Sequence, residues 1–107
     1  MHSSKVKEEA RLLRIRLGSA IANLRVKKGL SQVALSKQCH LAQSYLCDIE
    51  QGLANPTWST LMALCQALRM PLVKLIMISE LPLRKLTPLE KQLLEAAFSL
   101  FERAAPV

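Results

Sequence analysis

Apolar residues in this chain recur at steps of three and four, not two. Val6, Ala10, Leu13, Leu17, Ala20, Ile21 and Leu24 form one such stripe, the signature of an amphipathic helix. Glu8 and Glu9 stand near its start and Lys27 and Lys28 at its end, which suits the helix dipole. Gly29 then supplies a stop. The pattern predicts one long helix over about residues 5–28, with Gly18 as a point where it can break.

Shorter elements follow. Ser31 is a good N-cap for a helix running to about Cys39. His40 and Leu41 make a tight turn before a helix from about Ala42 to Gln51, ended by Gly52. Leu53-Ala54-Asn55-Pro56 reads as a loop, and Thr57 caps a helix to Leu68 that turns Leu61, Leu64, Cys65 and Leu68 inward. Trp58, in the first turn of that helix, is expected to pack, the alternative being that it binds a ligand. Pro71 opens a short helix to about Met77. The stretch from Ile78 to Leu86 contains Pro82 and is expected to be extended. Thr87-Pro88-Leu89-Glu90 is a capping box with proline at the first helical position, and a last helix is predicted from about Pro88 to Ala104. No strand pattern competes, so the fold class is all-α.

Composition narrows the function. The chain has 107 residues, half of them hydrophobic, enough for one core without staples. It carries 15 basic and 8 acidic residues, a net charge of +7, which favours a polyanionic partner. Residues 1–28 hold eight basic and two acidic side chains, a local +6. Residues 29–79 amount to +1 and residues 80–107 to zero. Cys39, Cys47 and Cys65 are odd in number and lack C-x-x-C spacing, so no disulfide framework or metal site is expected, only three small buried hydrophobes. No Gly-rich phosphate loop, paired nucleophile and base, or metal-ligand spacing is present, so neither an enzyme nor a cofactor is expected. No run approaches the ~18 apolar residues of a membrane span, and the charged N-terminus lacks a signal core. The expected location is the cytoplasm, with no membrane partner.

Ser31 to Gly52 is helix, sharp turn, helix. Leu24-Arg25, Lys28-Gly29-Leu30-Ser31-Gln32, Ser44-Tyr45-Leu46, Ile49-Glu50-Gln51-Gly52, Asn55-Pro56-Thr57, Thr60-Leu61 and Ala67-Leu68 stand around it in fixed order. In these residues the chain resembles the Xre/Cro-type helix-turn-helix family of lambda-repressor-like DNA-binding domains, over about residues 17–78. The resemblance implies a five-helix lambda-repressor-like domain, here with an N-terminally extended first helix (residues 1–16 its basic extension) and an extra C-terminal helix within residues 79–107. It also implies double-stranded DNA as the partner.

The resemblance assigns roles to Gln43, Ser44, Gln32, Arg25 and Glu50, and side-chain chemistry suggests those of their neighbours. Gln43 and Ser44, at the start of the second helix of the motif, are expected to read bases. Gln suits adenine, and Ser several bases or a phosphate. Ala42 is placed to touch a thymine methyl. Asp48, one turn on, either accepts from a cytosine amino group, repels phosphate, or lies off the DNA. Gln32 at a helix start is expected to clamp the DNA backbone, with Lys28 beside it. Tyr45 either reaches a phosphate or packs half-buried. Asn55 and Thr57 either bind backbone or serve as turn and cap. Arg25 and Glu50 are expected to form an inward ion pair, each needing the other. Three positions depart from the family pattern. His40 and Arg69 stand where glycine is usual, and Ala42 replaces a capping Ser or Thr, at a cost of roughly 1 kcal/mol.

On the last helix, apolar residues cover an arc of roughly 200° at about 100° per residue, twice what one buried side needs. Leu89, Leu93, Leu94, Ala97, Leu100 and Phe101 are therefore expected at a dimer interface, with Leu81, Leu83 and Leu86 as possible additions. The alternative is that the helix closes its own core. Together these features point to a sequence-specific transcriptional regulator, a repressor binding a palindromic operator as a homodimer, of bacterial nucleoid, phage or plasmid setting. The alternative is an antitoxin or interaction module whose C-terminal helix binds a different protein while the domain autoregulates its operon.

Overall fold

A computed structural model of the chain describes residues 4–80 and 87–104. Among these the secondary structure is entirely helical: α1 (Ser4–Lys27), α2 (Gln32–Gln38), α3 (Gln43–Glu50), α4 (Trp58–Leu68), α5 (Leu72–Glu80) and α6 (Pro88–Ala104).

Four successive helices end in the same way. After α1, the Gly29 amide donates to the Val26 carbonyl and the Leu30 amide to the Arg25 carbonyl, at 2.9 and 3.1 Å. The same two-bond closure ends α2 at His40 and Leu41, α3 at Gly52 and Leu53, and α4 at Arg69 and Met70. This is the Schellman motif, which needs a left-handed residue at its centre. Gly29 and Gly52 adopt φ of 72° and 75° at little cost, while His40 and Arg69 adopt 55° and 52° with side chains attached. The residue after each turn usually folds back onto its helix. Leu30, Leu41 and Met70 do pack against the core, whereas Leu53 is 71% exposed.

The core is built from Ile21 of α1, Leu35 of α2, Leu46 and Ile49 of α3, Leu64 and Leu68 of α4, and Leu75 of α5, all fully buried. Helix α1 is continuous through Gly18. That glycine serves close approach, because a Cβ there would lie 2.7 Å from the Glu50 carbonyl oxygen and collide with that of Ile49. The C-terminal end of α3 therefore rests directly on the α1 backbone.

Two expectations are corrected. Helix α5 continues to Glu80, so Ile78–Glu80 is helical and not extended. Leu75 and Ser79 share one face, both are buried, and the Ser79 hydroxyl donates to the Leu75 carbonyl at 2.8 Å. A polar residue masked this inward position in the sequence pattern. Trp58 is 72% exposed and does not pack. The inward positions of α4 are Thr60, Leu61, Leu64, Cys65 and Leu68, and Trp58 flanks them on the side it shares with exposed Met62. Leu81, Leu83 and Leu86 lie outside the described residues.

Cys39 and Cys65 are buried, whereas Cys47 is only half-buried. Burial raises the thiol pKa of both Cys39 and Cys65, so they behave as small core residues.

Candidate nucleic-acid interface

Helix α3 offers two different faces. Leu46 and Ile49 anchor it in the core. Gln43, Ser44 and Asp48 are exposed and, at ~100° per residue, fall on the opposite side. Cys47 lies between them on that side, and Gln51 follows, its amide donating to the Cys47 sulfur at 3.5 Å. Sequence reasoning missed these two positions. The signal was available, because Cys47 stands four residues after Gln43 and three after Ser44, and Gln51 four after Cys47 and three after Asp48, spacings that keep to one face. Ala42 is the N-cap, with extended backbone and no side-chain cap bond. The first amides of α3 thus lack a side-chain acceptor from their cap, and such amides favour an anion.

The orientation of α3 is fixed by a polar hub under it. Arg25 of α1 donates from Nε to Glu50 Oε2 at 2.7 Å and from Nη2 to Oε1 at 3.1 Å. Its Nη1 donates to the Leu30 carbonyl at 2.8 Å. Gln32, the first residue of α2, donates from Nε2 to Glu50 Oε1 at 3.0 Å. One carboxylate, whose side chain is only 5% exposed, therefore joins α1, α2 and α3. The hydrogen bonds to Glu50 hold the Arg25 guanidinium above its ordinary pKa, with burial acting in the other direction. A bidentate pair of this kind is rigid as well as strong.

The loop after α3 is also fastened to α1. Arg14 donates from Nε to the Gly52 carbonyl at 2.9 Å and from Nη1 to Asn55 Oδ1 at 3.1 Å. Gly52 itself lies against Ile15, so that a Cβ there would be 2.7 Å from the Ile15 Cα. Thr57 caps α4, accepting from the Thr60 amide at 3.2 Å. Arg14 thus turns inward to hold the loop. Arg11 pairs with Glu8 at 2.7 Å on the solvent side, while Lys5, Lys7, Lys27 and Lys28 are exposed.

The remaining sequence-selected residues are placed as follows. Tyr45 is half-buried against the core. Asn55 and Thr57 are exposed while making the bonds just described. On α6, Leu89, Leu93 and Leu100 are exposed at 63%, 61% and 66%. Ala97 is exposed and Leu94 half-buried. The side chain of Phe101 lies outside the described residues. The α6 capping box is formed in both directions, Thr87 N to Glu90 Oε1 at 3.1 Å and Glu90 N to Thr87 Oγ1 at 3.2 Å.

A short helix whose N-terminal side chains face solvent, locked at one angle to a long first helix through a buried carboxylate, defines a helix-turn-helix module of lambda-repressor-like fold. Residues 16–75 match the profile of a family described as a helix-turn-helix domain, and the chain belongs to the Xre/Cro-type helix-turn-helix family of DNA-binding transcriptional regulators. It is 42% identical over 60 residues to an uncharacterized HTH-type transcriptional regulator, y4dJ, of Sinorhizobium fredii, covering 56% of this chain and 78% of that one. It is 42% identical over 52 residues to the immunity repressor protein of Bacillus phage phi105, covering 49% of this chain and only 36% of that protein. Among solved structures, it resembles the restriction-modification controller protein C.AhdI of Aeromonas hydrophila. The TM-score there is 0.55 at 31% identity, over 57% of this chain and 92% of that one. Among the described residues, no single helix is long and apolar enough to cross a membrane.

Proposed function

We propose that the protein is a homodimeric repressor that reads a palindromic operator through the N-terminal half of α3. The observation that carries this reading is the exposed polar row Gln43, Ser44 and Asp48 on a helix whose other side is buried and whose angle is set by the Glu50 hub. A helix of this width enters the major groove, where its first turn meets base edges. Gln43 pairs with adenine, Ser44 with a base or phosphate, Ala42 with a thymine methyl, and Asp48 with a cytosine amino group. Gln32, Lys28, Tyr45, Asn55 and Thr57 hold the backbone. Gln32 does so while its amide also bonds Glu50, which ties the phosphate clamp to the reading helix. Repression follows from occupying the operator, and likeness to a phage immunity repressor supports it. A two-fold dimer supplies two α3 helices one DNA turn apart, and the exposed leucines of α6 supply its contact.

Those same leucines favour a second reading, in which α6 binds a different protein and the domain regulates its own operon. Selection of bound DNA from a random pool separates the two. A palindrome with half-sites about ten base pairs apart is expected. Gln43→Ala is expected to lose preference at one position of each half-site, at a cost of roughly 1–3 kcal/mol. A pool with no enriched motif defeats the operator reading and leaves the partner protein.

A further inference from the structure

The first half of α1 carries the apolar stripe past the end of the core. Val6 is 46% exposed. Val6, Ala10, Leu12 and Leu13 line an open groove of about 410 Å³ together with Glu9 and Glu80. Ala10 is exposed and Leu13 half-buried, so this groove is an unfilled continuation of the surface on which α5 packs.

Helix α6 is its complement in three respects. Leu93 and Leu100 are seven residues apart, about 10 Å along a helix, as are Val6 and Leu13. Arg103, the first side chain beyond the edge of the apolar arc nearest Leu93 and Leu100, is a cation opposite in charge to Glu9 and Glu80 of the groove. Glu90, the one acid whose position falls inside the arc, is turned back into the α6 capping box.

We propose that this groove is the seat of α6 from a second copy of the chain, the two copies exchanging their C-terminal helices. This rests on the homodimer reading above and adds where the partner helix lies. A second copy fits better than the chain's own α6. One helix in one groove uses a stripe of about 100°, half of the roughly 200° arc. In a two-fold exchange the two α6 helices also face each other, and the other half is used as well. The contact is self-complementary, as a two-fold interface requires.

The test uses the full chain in sedimentation equilibrium, with thermal unfolding as a control for folding. Ala10→Arg fills the groove from an exposed position. It is expected to raise the dimer dissociation constant at least tenfold. Leu93→Asp is expected to do the same. Glu9→Lys alters charge alone and is expected to weaken the dimer several-fold, more at low salt than at high. Mixing the Ala10→Arg and Leu93→Asp chains leaves one intact groove facing one intact α6, so the mixture associates more tightly than either variant. Undiminished dimerisation of Ala10→Arg overturns the seat while leaving the homodimer intact. A mixture no tighter than its components overturns the exchange. A wild-type chain that stays monomeric removes the homodimer reading and the proposal with it.

Discussion

Glu50 accepts three side-chain hydrogen bonds from two helices other than its own, with its partner Arg25 half-buried. Removing one member of such a pair strands a charge, which typically costs about 3–5 kcal/mol. Glu50→Ala is therefore expected to lower stability by about that amount in urea unfolding. The joint change Arg25→Met with Glu50→Leu is expected to recover most of it, because no charge is then left unpaired. A double variant no more stable than Glu50→Ala would show that the hub acts mainly by hydrogen bonding α2 through Gln32. Arg25 and Glu50 stand 25 positions apart, and their pairing was legible only through the family pattern. The Gln32 bond was not legible, because it depends on how α2 lies across α3.

At the scale of elements, local signals read well. Gly29, Ser31, Gly52, Thr57 and the Thr87–Glu90 box all mark helix ends within a residue or two of where they fall, because a cap or a left-handed turn is decided by adjacent residues. His40 and Arg69 show the limit of that reading. Both turns form with a side-chain-bearing residue at φ near 50°, which costs an L-residue roughly 1–2 kcal/mol, offset by the greater freedom glycine would lose. His40→Gly is expected to stabilise the protein by about 0.5–1 kcal/mol. A raised thermal midpoint with unchanged helical circular dichroism would show it. A lowered midpoint would mean that the His40 side chain itself contributes to the turn. The end of α5 was misread for a different reason. Ser79 is polar, yet its hydroxyl is satisfied by the preceding turn, and tertiary burial outweighs its composition.

Across the whole molecule, the charge surplus and the helix proposed to read bases are separate. The surplus lies in residues 1–28, whereas the region holding α3 is close to neutral. Part of that surplus is already committed, Arg14 to the loop and Arg25 to Glu50. Deleting residues 1–16 would therefore remove the Arg14 clamp and the packing of Ile15 on Gly52 along with the charge. The cleaner variant is Lys5→Gln, Lys7→Gln and Arg11→Gln together. If the α1 extension tracks phosphates, the slope of log affinity against log salt falls by about 0.9 for each phosphate no longer neutralised, with the preferred site unchanged. An unaltered slope would place this part of α1 off the DNA, where its remaining role is the groove proposed for α6.

The sequence by itself determined the elements and their ends, the apolar stripes, the distribution of charge and the exposed identity of the α3 start. These follow from torsion preferences, capping bonds and a 3.6-residue period, all set within a few positions. Tertiary structure alone decided that Gly18 is a contact surface for α3 and that Arg14 holds the loop after it. It also decided that Trp58 stays in solvent and that the α1 stripe outruns its own core. Each of these depends on which surfaces far apart in the chain meet, and such meetings are fixed by packing the whole set of helices at once.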